Sequence, residues 1–487
     1  MKPGAKTGFQ HFRVIDGEQC AQIHQASLGI LSRTGIRLLD TETVSLLQKA
    51  GADVEGNIVR FPPQLVEWAL RTAPPRVVLS HRGGEQSLLL EGRNVHFGTG
   101  SDCPYIRDTR TGERRAFLKQ DVAEGIRLCD ALPNIDFVLS IGLISDVPSA
   151  VSDIHQFEAM LLNTVKPIVF TAHGLANCHL IVEMAELAAG GAEELRLNCN
   201  IAIFVEANPP LVFTKETLQK TMFMAAKGLP VVFSSGPMMG VSGPQTHAGI
   251  IALSNAENLA GNTIVQLTRA GAPFVYAHGI HPLDMQTMVL AYGAPELSFN
   301  TAVAADLAHF YGLPVWGYAG CSDAKILDEQ AAMEATGSII MSLLSGNNLV
   351  HDVGYLESGL TSSFEMILLS DVVIGMARSM LKPLDVSPET LALDLIDRVG
   401  PGGSFIQEDH TLRHFREVWY STLIDRRNYQ SWTARGSLPM GARLNQHVLQ
   451  LLRDHTPEPL PEPIPGALRS VVERATRELV GVQSTDC

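Results

Sequence analysis

Eight short apolar, β-branched or aromatic runs recur through the middle of the chain, separated by longer stretches with helical spacing. They are NVHFGTG (94–100), IDFVLSIG (135–142), PIVFTAHG (167–174), NIAIFVEA (200–207), PVVFSSGP (230–237), PFVYAHG (273–279), PVWGYAG (314–320) and NLVHDVG (348–354). A strand that is apolar on both faces must be covered on both faces, so such strands alternating with helices predict a parallel sheet between helices. Eight units within residues 91–398 predict an α/β fold of the (β/α)8 TIM-barrel type, with an open doubly wound sheet as the alternative. No GxGxxG follows the first run, which argues against dinucleotide binding.

The flanks have a different texture. Residues 1–90 predict a helical cap with a small β-element. CAQIHQASLGILSRTG is a helix ending at Gly35, TETVSLLQKAGADV a helix capped by Thr41, and GNIVRFPPQLVEWALRTAPP a strand followed by a helix entered at Pro62-Pro63. Residues 399–487 predict a helical extension. DHTLRHFREVWYSTLIDRRNYQSW reads as strongly helical, TPEPLPEPIPG (456–466) as an extended linker, and ALRSVVERATRELV as a final helix.

A net charge of -14 with no Lys/Arg-rich run argues against nucleic acid and anionic membrane surfaces, leaving small molecules and proteins as partners. The N-terminal stretch has no apolar leader core, and no apolar run reaches the roughly 18 residues a membrane span needs. The seven cysteines (Cys20, Cys103, Cys129, Cys178, Cys199, Cys321 and Cys487) are odd in number and lack a CxxC, which predicts reduced thiols and a cytoplasmic protein.

In a barrel the C-terminal ends of the strands converge on one mouth. Read in order, the runs deliver Gly100, Ser101, Asp102 and Tyr105; Ser140 and Gly142; His173; Glu206 and Asn208; Ser234, Ser235 and Gly236; His278; Cys321, Ser322, Asp323 and Lys325; and His351 with Asp352. Nearly every run ends in a polar or ionisable group, which the bottom of a barrel would not need. Each also has a plainer reading. Ser322 or Asp323 is a helix cap, Glu206 and His351 are hydrogen-bonded core groups, and His173 and His278 are turn residues. The Asn255, Asn258, Asn262 stripe is a solvated face or a hydrogen-bonded seam. Aromatic residues in the same runs, if they line the mouth, suit a quaternary ammonium ligand. Cys103, Cys321 and His351 are the scattered donors available to a zinc ion. There is no GxSxG for a serine nucleophile.

FGTGSDCPYIRD (97–108), SGPMMGVSGPQTHAGIIALSNAENLAG (235–261), GCSDAKILDEQAAMEATGSIIMSLLSGNNLVHDVGYLESGL (320–360) and DHTLRHFREVWYSTLIDRRNYQSW (409–432) are similar to the trimethylamine methyltransferase family. The resemblance spans almost the whole chain. It implies a TIM barrel that moves a methyl group from an amine nitrogen to the Co(I) of a corrinoid (cobalamin) carried by a separate protein, with no cofactor held tightly. The family's trimethylamine enzymes carry pyrrolysine near the position of Gln330, whereas this chain has only standard residues there. Members without pyrrolysine resemble quaternary-amine demethylases, so the resemblance implies glycine betaine or a related betaine as methyl donor. On this reading His351, Glu206, Asp323 and Gln330 belong to the reaction centre, and no resident metal is expected. Asp102, Tyr105, His173, His278, Ser235, Tyr318, Cys321 and Tyr355 bind substrate. CPYIRDTRTGERRAF forms a rim hairpin turning at Thr111-Gly112, and the C-terminal helices offer a homo-oligomer contact. The competing readings are a zinc-dependent barrel methyltransferase using Cys321 and His351, and a betaine-binding barrel without turnover.

Overall fold

The computed structural model describes residues 12–84 and 86–480; Cys487 and the first eleven residues of the N-terminal stretch lie outside it. Seven of the eight runs form strands: β1 (His96–Phe97), β2 (Ile168–Phe170), β3 (Ile201–Glu206), β4 (Val231–Ser235), β5 (Phe274–His278), β6 (Val315–Tyr318) and β7 (Leu349–His351). All neighbours pair in parallel, in the order β1-β7-β6-β5-β4-β3-β2. β4 and β5 are buried at every position, as a sheet covered on both faces requires.

The run at 135–142 forms no strand of its own. Phe137 bridges Gly98 and Val138 bridges Ile168, so single parallel bridges link the two edges of the curled sheet. A side chain takes the place of the ladder here. The Thr99 hydroxyl accepts from Leu139 N and donates to Leu139 O, both at 2.9 Å.

The helices around the sheet include α1 (Gly17–Arg33), α2 (His247–Thr268), α3 (Pro295–Tyr311), α4 (Glu329–Ser345) and α5 (Phe364–Met380). α1 begins with a reciprocal capping box between Asp16 and Gln19. The helix expected to start on Thr41 is capped by Asp40 instead, whose carboxylate accepts from Thr43 N at 2.9 Å. Asp40 wins because its oxygen reaches the third helical N–H from the extended position just before the helix. α3 and α4 end on Gly312 and Gly346, both left-handed.

α2 is buried from Ile250 to Gln266, with α1 packed on its outer side. Its asparagine stripe is a hydrogen-bonded seam. Asn258 donates to Ala277 O at 2.7 Å and accepts from Ala277 N at 3.1 Å, clamping β5. Asn255 donates to Ser27 and Tyr311 and accepts from Tyr276. Replacing Asn258 by Ala removes both of these buried bonds and leaves a void beside β5. We expect a loss of about 2–4 kcal/mol by urea denaturation; a loss below about 0.5 kcal/mol would mean that water or a backbone shift replaces the clamp.

The C-terminal residues return to the body of the protein. The helix Met440–Asp454 buries Leu444, Val448 and Leu452, one stripe, against α5 and the helix Lys119–Ala131. The Pro-rich stretch is extended and leads into the helix Ile464–Ala475. The segment 409–432 corrects the sequence expectation: it holds only the short helices Asp409–His414 and Tyr429–Ala434 and one 3-10 turn. Leu423 is buried and Trp419 and Ile424 pack on the core, but Leu412, Phe415, Val418, Tyr420 and Tyr429 stay exposed, too little burial to hold one long helix. No helix among the described residues is long and apolar enough to cross a membrane.

Candidate active site

Side chains alternate along a strand, so each strand sends every second residue into the ring. Phe204 and Glu206 of β3, Trp316 and Tyr318 of β6, and His351 of β7 share that inner side. The rings of Phe204, Trp316, Tyr318 and His351 form one contact group: Trp316 to His351 4.4 Å, Tyr318 to His351 4.3 Å, Phe204 to Trp316 5.4 Å between centroids. His281 and Tyr292 extend it from the loop beyond β5, with His281 5.5 Å from Tyr318 and 5.1 Å from Tyr292.

Three carboxyl groups, Asp102, Glu206 and Asp352, lie close enough to influence one another. Asp352 sits just past β7 in a left-handed backbone conformation (φ 72°), a strained state for a non-glycine residue. Burial, and then the nearby Asp102 and Glu206, hold its carboxyl well above the usual range. Burial, and then Asp102, push Glu206 up to about 7, with a nearby Ser234 hydroxyl opposing. Burial also raises Asp102, against a 2.7 Å hydrogen bond from Ser101. Among the described residues, no lysine or arginine contributes to any of the three. Asp102 and Glu206 are deeply enclosed, yet they keep open side-chain surface. They therefore line a hollow that solvent can reach.

Several polar atoms around the hollow are left unsatisfied. Both Asp352 oxygens are buried without a hydrogen bond. His351 Nε2 stands 3.2 Å from Asp352 Oδ1, but the angle closes no bond. Ser234 Oγ lies close enough to Glu206 and Tyr318 to favour their ionised forms, yet closes no hydrogen bond either. We read it as an open donor, because an orphaned hydroxyl deep in a site is where a ligand bonds. His351 Nδ1 lies 2.9 Å from Gly317 O, which fixes the proton on Nδ1, and burial lowers its pKa to about 3. His281 is likewise neutral, at about 4, with Nε2 buried and unpartnered.

Missing side chains shape the hollow. A Cβ on Gly279 would stand 2.6 Å from Tyr318 Oη, and one on Gly236 3.5 Å from Glu206 Oε1. A Cβ on Gly100 would stand 2.1 Å from Tyr355 Oη and 2.3 Å from Asp352 Oδ1. Tyr355 is fully buried, and its Oη accepts from Asp102 N at 2.7 Å, so it positions Asp102.

The structure thus brings together Asp102, Glu206, Tyr318, His351 and Tyr355 from the residues expected by sequence. Cys321 is buried near them, its thiol raised by burial and then by Asp352, and it donates to Tyr292 O. Ser235 and His278 lie on the other face of their strands. Ser235 bonds Glu257 and His278 bonds Ser254, both on α2. His173 bonds Ser152 and Asp153 in the outer layer. Tyr105 lies in the expected hairpin, which pairs Arg107 with Arg114, and the Arg114 guanidinium already covers its ring at 3.6 Å. Asp323 accepts from Ser358, and Gln330, exposed at the start of α4, donates to Glu334.

Sequence reasoning placed Ser234 and Asp352 at strand ends and Phe204 and Trp316 among the run aromatics without choosing them for the site, and it did not single out His281, Tyr292 or Glu334. Glu334 accepts from Ser322 Oγ at 2.5 Å and Asp323 N at 2.8 Å, so it holds the loop after β6. Among the described residues, Cys103, Cys321 and His351 do not converge within metal-ligand distance; the set that does is Glu389, His410 and His414, outside this site.

Fold and site together define a parallel-sheet α/β enzyme scaffold around an anionic, aromatic-walled hollow. Residues 1–480 match the family described as trimethylamine methyltransferase (MTTB), and the chain belongs to that family and is a methyltransferase. It is 34% identical over 467 residues to a trimethylamine methyltransferase of Desulfitobacterium hafniense, covering 95% of this chain and 93% of that one. It is 29% identical over 473 residues to a glycine betaine methyltransferase of the same species (96% and 98% covered). A trimethylamine methyltransferase of Methanosarcina mazei is 32% identical over 474 residues (96% and 95% covered). Among solved structures, the monomethylamine methyltransferase of Methanosarcina barkeri superposes with a TM-score of 0.51 at 12% identity (91% and 88% covered), a likeness of fold alone.

Proposed function

We propose that the chain moves a methyl group from a quaternary ammonium compound, a betaine or close relative, to a corrinoid held by a partner protein in the cytoplasm. The observation that carries this reading is the carboxyl trio with no cation of its own. Burying three acids without a counter-charge is costly. The arrangement makes sense when the ligand supplies the charge, and the aromatic floor suits an alkylated ammonium that has no N–H to donate. We read residues 91–398 as a barrel closed through residues 137–138, with 1–90 and 399–487 packed around it.

The corrinoid would supply a Co(I) nucleophile, so the chain needs no general base. Its own residues bind and aim. Asp102 and Glu206 hold the ammonium, and Phe204, Trp316 and Tyr318 fix the direction of its N–CH3 bonds. Asp352, kept neutral, adds polarity without a further full charge that would favour the cationic ground state over its discharge. Neutral His351 fills the floor with a fixed tautomer. Neutral His281 extends the aromatic wall beside Tyr318 and Tyr292.

Binding a cation favours ionised Glu206, so binding releases a proton near neutrality. Affinity is full above the free-state value of about 7 and falls as pH drops through it. From about pH 8 to about pH 6 we expect roughly a tenfold loss of affinity. Calorimetry in two buffers of different ionisation enthalpy measures the proton; flat affinity with no proton release would contradict this charge assignment. The function itself is tested by mixing protein, cob(I)alamin and a panel of quaternary amines without oxygen. Formation of methylcob(III)alamin with a quaternary amine supports it. Ligand binding without transfer, with the native corrinoid partner also present, would favour the non-catalytic reading.

A further inference from the structure

The Glu389, His410 and His414 set lies in the C-terminal segment, far along the chain from the residues of the hollow. HTLRH places two histidines at i and i+4 of the helix Asp409–His414, so both point from one side. Their rings lie 4.3 Å apart at 36°. Glu389 arrives from the short helix Pro388–Leu391. One donor atom from each of the three residues lies within 4.8 Å of the others.

His414 carries the chemical argument. Its Nδ1 is 2.7 Å from Glu417 Oε1, so that nitrogen holds the proton and donates it to the carboxylate. The opposite nitrogen, Nε2, is buried with no hydrogen bond and faces Glu389 Oε1 at 3.5 Å. Two lone pairs pointed at each other are repulsive unless a proton or a metal ion lies between them. Donors about 2.0–2.1 Å from a tetrahedral zinc ion are separated by about 3.3–3.4 Å, close to this spacing. A carboxylate on the far nitrogen of a ligating histidine is the usual outer support of such sites.

The surrounding segment also lacks another strong tie. From residue 381 to residue 417, Leu395 alone is buried, while Leu391, Leu393, Ile396, Ile406 and Leu412 are exposed. Ion pairs Arg398–Glu408 and Arg413–Glu389 cross it, and exposed pairs of this kind contribute little. A stretch without a core is where a metal cross-link adds most.

We infer that Glu389, His410 and His414 form a site for a zinc-class divalent cation, which clips the 388–399 segment to the helix at 409–417. Water completes the coordination, and Arg413, which now shares Glu389 Oε1 at 2.7 Å, moves to the other carboxylate oxygen.

The test uses tag-free full-length protein stripped with a chelator and titrated with Co2+, then Zn2+. We expect one equivalent of Co2+ to produce tetrahedral ligand-field bands, and Zn2+ to displace them. H410A/H414A should abolish the bands. Glu417→Gln, which leaves every ligand in place, should weaken binding about 10–100-fold. Zn2+ should slow proteolysis within 381–417 of the wild type and not of the double variant. Absence of the bands at micromolar protein, or binding that survives H410A/H414A, would overturn the site and leave a protonated His414 held between two glutamates.

Discussion

Glu206→Gln is expected to lower affinity for a quaternary ammonium ligand by about 30–5000-fold while making the protein more stable above neutral pH. The substitution keeps size and removes the charge, and loss of one partner from an enclosed charge pair costs about 2–5 kcal/mol. Stability moves the other way for a reason of sign. Glu206 has an ordinary value of 4.5 and rises to about 7 in the fold. The folded state therefore gains from its protonated form, fully below about 4.5, and loses that gain as pH rises through about 7. Above that, wild type carries an enclosed anion that the glutamine variant lacks. Because the side chain keeps accessible surface, the advantage is discounted to on the order of 1 kcal/mol. Urea denaturation at about pH 8 and about pH 5 reads it, with the variant ahead at the higher pH and the two nearly level at the lower. Unchanged affinity would remove Glu206 from the site.

The second large effect is at Gly100. A methyl group there meets Tyr355 Oη at 2.1 Å and Asp352 Oδ1 at 2.3 Å, neither of which has room to retreat in a fully buried setting. Gly100→Ala should destabilise by about 1–3 kcal/mol and reduce methyl transfer at least about 100-fold, because a shift of about 1 Å misaligns the reacting groups. Tyr355→Leu removes both the colliding Oη and the ring Cζ, which would stand 2.3 Å from the new methyl group. The double variant should recover part of the lost stability, giving a coupling of about 0.5–3 kcal/mol between the two positions. It should not recover full transfer, since Asp102 N loses its 2.7 Å acceptor. Additive effects would mean that the methyl group is accommodated elsewhere.

The strands were readable because both of their faces are buried, so their runs are uniformly apolar. The run at 135–142 has the same composition but yields only bridges, since Thr99 occupies the ladder, and composition does not show that. Glu206, Tyr318 and His351 were readable because each ends a strand on the inner side. Ser235 and His278 fall one residue out of phase, and a strand boundary known only to a few residues cannot fix that parity. Asp352 reaches the hollow through a left-handed turn, and His281 and Tyr292 enter from a loop that carries no periodic signal. Gln330 rested on the resemblance to the family, and it faces Glu334 at an exposed helix start. The pairing of His410 with His414 was present in HTLRH as an i, i+4 spacing, but its third donor, Glu389, is supplied by the fold.

Anaerobic single turnover, with wild type and E206Q side by side, tests the central claim most directly. Each is mixed with cob(I)alamin and either a quaternary amine or trimethylamine, and methylcob(III)alamin is followed by its absorbance. The account predicts transfer from the quaternary amine by wild type, at least about 30-fold less by E206Q at subsaturating donor, and none from trimethylamine. Equal rates for the two proteins, or transfer from trimethylamine alone, would contradict it.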